Sequence, residues 1–173
     1  YTFEFHTHLS NVKALRIEAF ANPTLNAGGP GLASNGNFQL TDIQIGAAPL
    51  TDANNLKDLS FSDAKATFNQ NDGALHVRTV IDEDPGSGWA VDPQFGKDHA
   101  AILTLAKPLE NLAGHRLRIT VAFNGNTKHI IGRFRLSVSE DPNAPLLSNT
   151  ISEEVALVLA KPAGERSMEE TQA

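Results

Sequence analysis

Hydrophobic residues alternate with polar ones through most of this chain, and a period of two predicts β-strands. Phe3 and Phe5 alternate with Glu4 and His6 at the start of the sequence. The same alternation predicts seven more strands, at residues 15–19, 37–45, 64–68, 75–81, 100–106, 117–123 and 132–138. Turn-forming Gly, Asn, Pro and Asp residues separate these segments. Together they predict an all-β antiparallel β-sandwich of the jelly-roll type.

Three local departures refine this prediction. The apolar phase changes within residues 37–45, which predicts a β-bulge near Thr41 and Asp42 because one extra residue swaps the faces of a strand. Residues 124–126, Asn-Gly-Asn, predict a hairpin turn between the strands at 117–123 and 132–138. Residues 22–36 form a long loop, since their Gly and Pro content opposes regular structure.

The C-terminal part of the sequence changes from a strand pattern to a helical one. Thr150 and Glu153 have the spacing of a capping box, and Ile151, Val155 and Leu159 form an apolar stripe. A short helix is therefore predicted from residue 150 until Pro162 stops it. We expect a β-sandwich domain at residues 1–145, and a helix with a polar tail at 146–173. The tail is either a frayed end or a linker to a following domain. The abrupt strand-like start suggests a piece of a longer protein.

Composition and charge exclude several classes of function. The 173 residues are 40% hydrophobic and 20% charged, as in ordinary globular domains, and no apolar run is long enough to insert into a membrane. The net charge is −6 and the 14 Lys and Arg residues are scattered, which argues against nucleic-acid binding. The absence of Cys excludes disulfides, thiolate zinc sites and Cys nucleophiles.

Candidate ligand-binding residues concentrate in residues 80–99, VIDEDPGSGWAVDPQFGKDH, which contain the single tryptophan. Trp89 and Phe95 offer flat surfaces for stacking on a sugar ring, while Gln94, Lys97 and His99 offer hydrogen bonds to its hydroxyl groups. The alternative interpretation is that Trp89 fills the core beneath the loop. The loop contains no nucleophile–base pair, so we expect a binding domain and not an enzyme.

Oxygen-bearing side chains in the same loop suggest a calcium site. Asp82, Asp84 and Ser87 have spacings that a hard cation can use, although they do not follow the EF-hand order. The alternative is that the two aspartates cap the turn through bonds to backbone N–H groups. A second cluster of the same kind is formed by Asn35, Asn37 and Asp42.

Two further groups of side chains are candidate sites. His6 and His8 lie two apart on one strand face, a geometry that metals use, but no third ligand lies nearby in the sequence. Arg133 and Arg135 share a strand face with Ser137. These arginines either pair with carboxylates across the sheet or contact an acidic sugar.

Three blocks of the sequence together resemble a known type of module. They are LRIEAFANPTLNAGGPGLASNGNFQLTDIQI at 15–45, VIDEDPGSGWAVDPQFGKDHAAILTL at 80–105 and HIIGRFRLSVS at 129–139. They resemble a carbohydrate-binding-like module of large, multidomain planctomycete proteins that also carry c-type cytochrome domains. The middle block is similar to discoidin and other galactose-binding-like domains. In this chain Glu83 stands where the related blocks often have Gly.

The resemblance implies a β-sandwich that binds carbohydrate within an exported protein, periplasmic or on the cell surface, and structural calcium is common in galactose-binding-like domains. We therefore expect a non-catalytic carbohydrate-binding module whose sugar site lies on loops at one end, mainly 82–99 with help from 22–37. The alternative is a structural or interaction domain that docks neighbouring domains of a larger protein and binds no glycan. Full burial of Trp89 and Phe95 would favour this alternative.

Overall fold

The computed structural model describes residues 1–6, 9–52, 54–110 and 115–146. Within them, eight strands make up most of the regular structure: β1 Thr2–Phe5, β2 Asn11–Ala19, β3 Asp42–Pro49, β4 Lys57–Leu59, β5 Phe61–Ala66, β6 His99–Glu110, β7 His115–Ala122 and β8 Phe134–Ser139. The described helices are two short 3₁₀ segments, Asn26–Gly28 and Val77–Ile81. Neither has the length or apolar character needed to span a membrane.

The strands form two four-stranded antiparallel sheets that pack face to face. Sheet A has the order β1-β7-β3-β4, and sheet B has the order β5-β6-β2-β8. The prediction of an all-β antiparallel sandwich is confirmed. The predicted C-terminal helix at 150–161 and the polar tail lie outside the described residues, as does His8.

The core lies between the sheets and follows the alternation of the strands. In β2, Leu15 and Ile17 are fully buried, and each pairs with apolar residues of β6 and β8 on either side. Burying one such side chain contributes about 1.5–3 kcal/mol. Phe38 and Trp89 belong to the same core although neither lies on a named strand. The loops at one end of the sandwich therefore complete its interior.

The segment predicted as a strand at 75–81 is instead the 3₁₀ helix Val77–Ile81. Its apolar residues are spaced by three and four positions, with Val77 and Val80 buried, which suits a helical turn. Two side chains fix the start of the turn: Asn69 accepts a hydrogen bond from the Val77 N–H, and His76 accepts one from the Arg78 N–H. The alternating pattern alone did not reveal these local bonds.

The predicted hairpin at residues 124–126 is wrong, because β7 belongs to sheet A and β8 to sheet B. The intervening segment crosses between the sheets and pairs with the long N-terminal loop. The Gln39 N–H donates to the His129 carbonyl at 2.9 Å, and the Leu32 N–H donates to the Ile130 carbonyl at 2.9 Å. An Asn-Gly turn therefore starts a crossover here.

The phase change near Thr41 and Asp42 marks a change of partner and not a bulge within one strand. Leu40 forms an isolated antiparallel bridge with Trp89. Two residues later β3 begins and pairs with β7 in continuous register. The chain thus places Leu40 against the tryptophan loop and Ile43 against the core of the sandwich.

Three segments meet at this end and are called the loop cap, defined as residues 20–41, 67–98 and 123–133. Backbone hydrogen bonds join them: the Gly132 N–H donates to the Pro30 carbonyl at 2.8 Å, and the Gly96 N–H donates to the Gly29 carbonyl at 2.7 Å. The backbone packing is closest at Gly31, where a Cβ atom would lie 1.8 Å from the Asn37 carbonyl oxygen. Only glycine fits at that position.

We predict that Gly31→Ala destabilises the protein by about 3 kcal/mol, because overpacking forces the backbone of the loop cap apart. Urea unfolding followed by Trp89 fluorescence measures this free energy. Gly73→Ala is the matched control, since a Cβ there would meet only the Asn71 side chain at 3.6 Å. Equal stability of the two variants would contradict the packing described for Gly31.

Candidate functional site

Trp89 is a core residue and not a stacking platform. Its side chain is 0% exposed, and its ring meets Phe38 edge to face with centroids 4.9 Å apart. The indole Nε1–H donates to the Phe68 carbonyl at 2.8 Å, which satisfies the one polar group of the side chain. The expectation that Trp89 stacks on a sugar ring is therefore corrected, because no face of the ring reaches solvent.

His99 is also buried, with 4% of its surface exposed. Its Nε2 lies 2.7 Å from the Gln94 carbonyl oxygen, and its Nδ1 lies 3.2 Å from the Thr67 hydroxyl. Burial lowers the pKa of the imidazole, since the charged form loses its hydration. These two contacts hold the loop against the end of the sandwich. The predicted contact of His99 with sugar hydroxyls is therefore corrected as well, because the imidazole is buried.

The other three candidate residues lie on the outer side of the loop. Lys97 is exposed, and its Nζ donates to the Gln94 side-chain oxygen at 2.6 Å. Gln94 and Phe95 are half-buried. The adjoining Gly96 is bonded to Gly29, so the two loops expected to share a site do lie side by side. A ligand role for Gln94, Phe95 and Lys97 stays a prediction.

The acidic turn uses its oxygens for hydrogen bonds within the loop. Asp82 accepts from the Asp84 N–H at 2.9 Å, and Asp84 accepts from the Gly86 N–H at 2.8 Å. The Ser87 hydroxyl lies 3.0 Å from an Asp82 carboxylate oxygen. These are the turn-capping bonds of the alternative interpretation. In the described part of the chain, no three His, Asp or Glu side chains gather as metal ligands. Calcium binding stays a prediction.

The second oxygen-rich cluster is divided by the fold. Asn37 is 4% exposed and ties the loop cap together: its side-chain oxygen accepts from the Val91 N–H at 3.0 Å, and its amide donates to the Gln70 side chain at 3.0 Å. Asn35 accepts from the Asn37 N–H at 3.1 Å. Asp42 instead hydrogen-bonds Gln44 and lines a cleft on the side of the sandwich.

That cleft is called the acidic groove and is defined by Asp42, Gln44, Asp58, Phe61 and Glu83. Its volume is about 390 Å³. It exists because β4 is only three residues long and pairs with residues 45–47 of β3, which leaves the start of β3 without a neighbour on that side. A smaller hollow of about 240 Å³ shares Asp42, Gln44 and Glu83 with it and extends the groove past Asp84, Pro85 and Asn124.

The electrostatics of the groove centre on Asp42. Burial raises the pKa of its carboxyl group, and the nearby charges of Glu83 and Asp82 raise it further, while a hydrogen bond from Gln44 at 2.8 Å opposes the shift. The lining therefore offers one partly dehydrated carboxyl group, that of Asp42, beside the exposed oxygen acceptors of Gln44, Asp58 and Glu83. Such a surface suits hydroxyl or cationic donors. Sequence reasoning missed Asp58, Phe61 and Glu83 as groove residues because the packing of two sheets and a loop, and not a motif, brings them together.

The outer face of sheet B carries a second polar cluster, called the arginine–phenylalanine face and defined by Arg16, Glu18, Phe20, Arg133 and Arg135. Arg135 donates to both carboxylate oxygens of Glu18, at 2.7 and 2.9 Å. This confirms, for Arg135, pairing with a carboxylate across the sheet. Arg16 lies 3.3 Å from the same carboxylate.

No protein-family profile matches this chain, and no curated protein and no solved structure shows significant similarity to it. Function must therefore be inferred from the geometry of the acidic groove, the loop cap and the arginine–phenylalanine face.

We predict that Trp89→Phe lowers the free energy of unfolding by about 2–4 kcal/mol, because it leaves the Phe68 carbonyl without its donor and opens a cavity in the core. Chemical unfolding followed by circular dichroism measures the loss. Phe95→Leu, which changes a half-buried ring on the outer side of the loop, is the control and should cost under about 1 kcal/mol. A Trp89→Phe variant as stable as the wild type would show that the ring is not buried.

We also predict that stability falls as the pH drops below about 6.5, where histidine in the unfolded chain takes up a proton. Folded His99 resists protonation because it is buried, so acid favours the unfolded state. The slope contributed by His99 should approach, at most, about 1.4 kcal/mol per pH unit. His99→Gln should show a shallower dependence between pH 7 and 5, whereas His6→Gln, at an exposed position, should retain the wild-type slope. Identical slopes for wild type and His99→Gln would contradict the assignment.

Proposed function

We propose that this chain is a non-catalytic carbohydrate-binding module that holds a saccharide in the acidic groove. The observation that supports this proposal is the composition of the groove: the carboxylates of Asp42, Asp58 and Glu83 and the amide of Gln44 line the same cleft as a half-buried Phe61. Sugar hydroxyls donate to carboxylates and pair with amides, while an aromatic ring or aliphatic side chain covers the apolar face of the sugar.

The shape of the groove also supports an extended ligand. The main cleft and the smaller hollow share three residues and together follow the edge of β3 toward Asn124. A chain of two or more sugar units fits such a run better than a single ring. Direct hydrogen bonds in an open groove give weak single-site binding, of about micromolar to millimolar affinity. Attachment to other domains of an exported protein would then raise the avidity.

In this proposal the loop at 82–99 has a different role from the one expected. The acidic half of the loop, with Glu83 and Asp84, borders the groove, whereas the aromatic half with Trp89 braces the interior. The resemblance to carbohydrate-binding-like modules of planctomycete proteins supports the same class of ligand. Because Trp89 is buried, it cannot stack on a sugar ring. Its burial therefore favours the alternative of an interaction domain.

We predict that neutral polysaccharides or their oligosaccharides bind the wild type, and that Asp58→Asn and Glu83→Gln each weaken binding about tenfold. Each substitution removes a charged acceptor worth about 1.4 kcal/mol to the complex. A glycan array identifies the sugar, and isothermal titration calorimetry with the best oligosaccharide measures the affinities.

Asp72→Asn is the matched control, because Asp72 is exposed and lies outside the groove. It should bind like the wild type. Absence of any glycan binding by the folded protein, with and without calcium, would reject the proposal. Binding that Asp58→Asn and Glu83→Gln leave unchanged would reject the groove as its site.

The second candidate is a structural or interaction domain, and an apolar groove favours it. Edge strands β1 and β8 lie side by side, and Phe3, Phe5, Phe134 and Leu136 line a hollow of about 430 Å³ between them. Phe3 and Phe134 meet edge to face at 5.5 Å. Apolar side chains between two unpaired strand edges suit docking by a neighbouring domain.

If β1 and β8 dock a neighbouring domain, their amides should gain protection when the chain is part of its longer polypeptide. Hydrogen exchange of residues 2–5 and 134–139, followed by mass spectrometry in the isolated chain and in the longer protein, measures this. At least a tenfold slowing is expected, with residues 57–59 of the opposite edge as the internal control. Equal exchange in both forms would reject this candidate.

A further inference from the structure

Two of the three blocks that carry the resemblance meet on one surface, the outer face of sheet B. Strands β2 and β8 pair in a register that sets Glu18 opposite Arg135. Just beyond the paired strands, the Phe20 N–H donates to the Arg133 carbonyl at 2.8 Å. Because Ile17 and Leu136 face the core, Arg16, Glu18 and Phe20 face outward together with Arg133 and Arg135.

The charges of this face do not cancel. Glu18 is 1% exposed. Arg135 donates to both of its carboxylate oxygens, and Arg16 forms an ion pair with the same carboxylate. Arg133 forms no ion pair with any carboxylate in the described part of the chain, and the neighbouring Asp98 accepts a hydrogen bond from the Ala21 N–H. Three guanidinium groups beside the carboxylates of Glu18 and the neighbouring Asp98 leave a local excess of one positive charge on a chain of net charge −6.

The ring of Phe20 contacts two of these guanidinium groups and restricts their positions. The guanidinium carbons of Arg133 and Arg135 lie 5.6 and 5.3 Å from the centre of the ring. Both distances are within the range of a cation–π interaction. A guanidinium held against a ring presents its donors in one plane and loses less freedom on binding. That arrangement matches the two oxygens of a carboxylate or an oxyanion such as sulfate.

We propose that Arg133, supported by Phe20 and Arg135, binds the carboxylate or sulfate groups of an acidic polysaccharide. This inference rests on the proposed function for its class of ligand, but it uses a different surface from the acidic groove. The two surfaces have opposite charge, so an acidic polymer is repelled from the groove and attracted to the face. Binding here should therefore require an anionic sugar and should weaken as salt screens the charges.

The test measures binding of the whole chain to dextran sulfate and to polygalacturonate by affinity electrophoresis, with neutral dextran as the uncharged control. The wild type should be retarded by both acidic polymers, and the retardation should decrease with added salt. Arg133→Ala should weaken this binding at least about tenfold, in line with the loss of a charge-assisted contact. Arg133→Lys keeps the charge without the planar fork and should give an intermediate loss.

Lys107→Ala is the matched control, because Lys107 is exposed and lies away from this face. Strand β6 begins at His99, which pairs with Ala19 beside the face, and Lys107 lies near the other end of the strand. It removes one positive charge elsewhere and should change binding less than twofold. Circular dichroism and Trp89 emission confirm that each variant is folded. Arg133→Ala binding with wild-type affinity, or no binding of either polymer by the wild type, would overturn the proposal.

Two further arms separate this inference from the proposed function. Glu83→Gln should retain binding to the acidic polymers, because the groove is not involved. If neutral oligosaccharides bind and acidic polymers do not, the groove proposal stands and this inference fails. If only acidic polymers bind, and do so through Arg133, the groove proposal fails and this inference stands. Binding of poly-glutamate through Arg133 without binding of either polysaccharide would overturn the assignment to a saccharide.

Discussion

The burial of Trp89 beneath the loop cap is the constraint on which the rest of this structure depends. Its indole N–H holds the Phe68 carbonyl, its backbone bridges Leu40, and its ring packs against Phe38. Those contacts join segments that are about 20 to 50 residues apart in the sequence. They let three long loops share the core of the sandwich, so the edges of the loops have fixed positions. Each surface proposed as a site is bordered by a segment that this packing holds.

Burial of Trp89 also separates the loop at 82–99 into two parts with different tasks. From Ser87 to Val91 the chain is buried and tied by Asn37, whereas residues 82–86 are exposed and border the acidic groove. On the far side of the sandwich core, β2 and β8 carry the arginine–phenylalanine face. The molecule therefore presents two surfaces of opposite charge on one scaffold, and each is proposed here as a ligand site. A negative groove and a positive face would select different ligands, since each repels what the other attracts.

Strand alternation predicted the architecture well because each strand buries one face against a single core. It predicted less about partners, since period-two patterning is local while pairing is not. Residues 117–123 and 132–138 are strands as expected, yet they lie in different sheets because residues 123–133 pair with the N-terminal loop. The strand predicted at 75–81 is a 3₁₀ helix, because Asn69 and His76 supply the hydrogen bonds that start a turn. The site was harder still: Trp89 lies among Gly and Pro, which suggests an exposed loop, and its burial depends on distant Phe38 and Phe68. The acidic groove arises from the shortness of β4, which no motif marks.

The most direct test of this account is native-state hydrogen exchange of the Trp89 indole N–H, observed by NMR. If Trp89 holds the loop cap to the core, this proton exchanges only when the whole domain unfolds. Its exchange free energy should then equal the global free energy of unfolding, about 5–15 kcal/mol for a domain of this kind. Exchange at a free energy about 3 kcal/mol or more below the global value would show that the loops open independently, and would contradict the account.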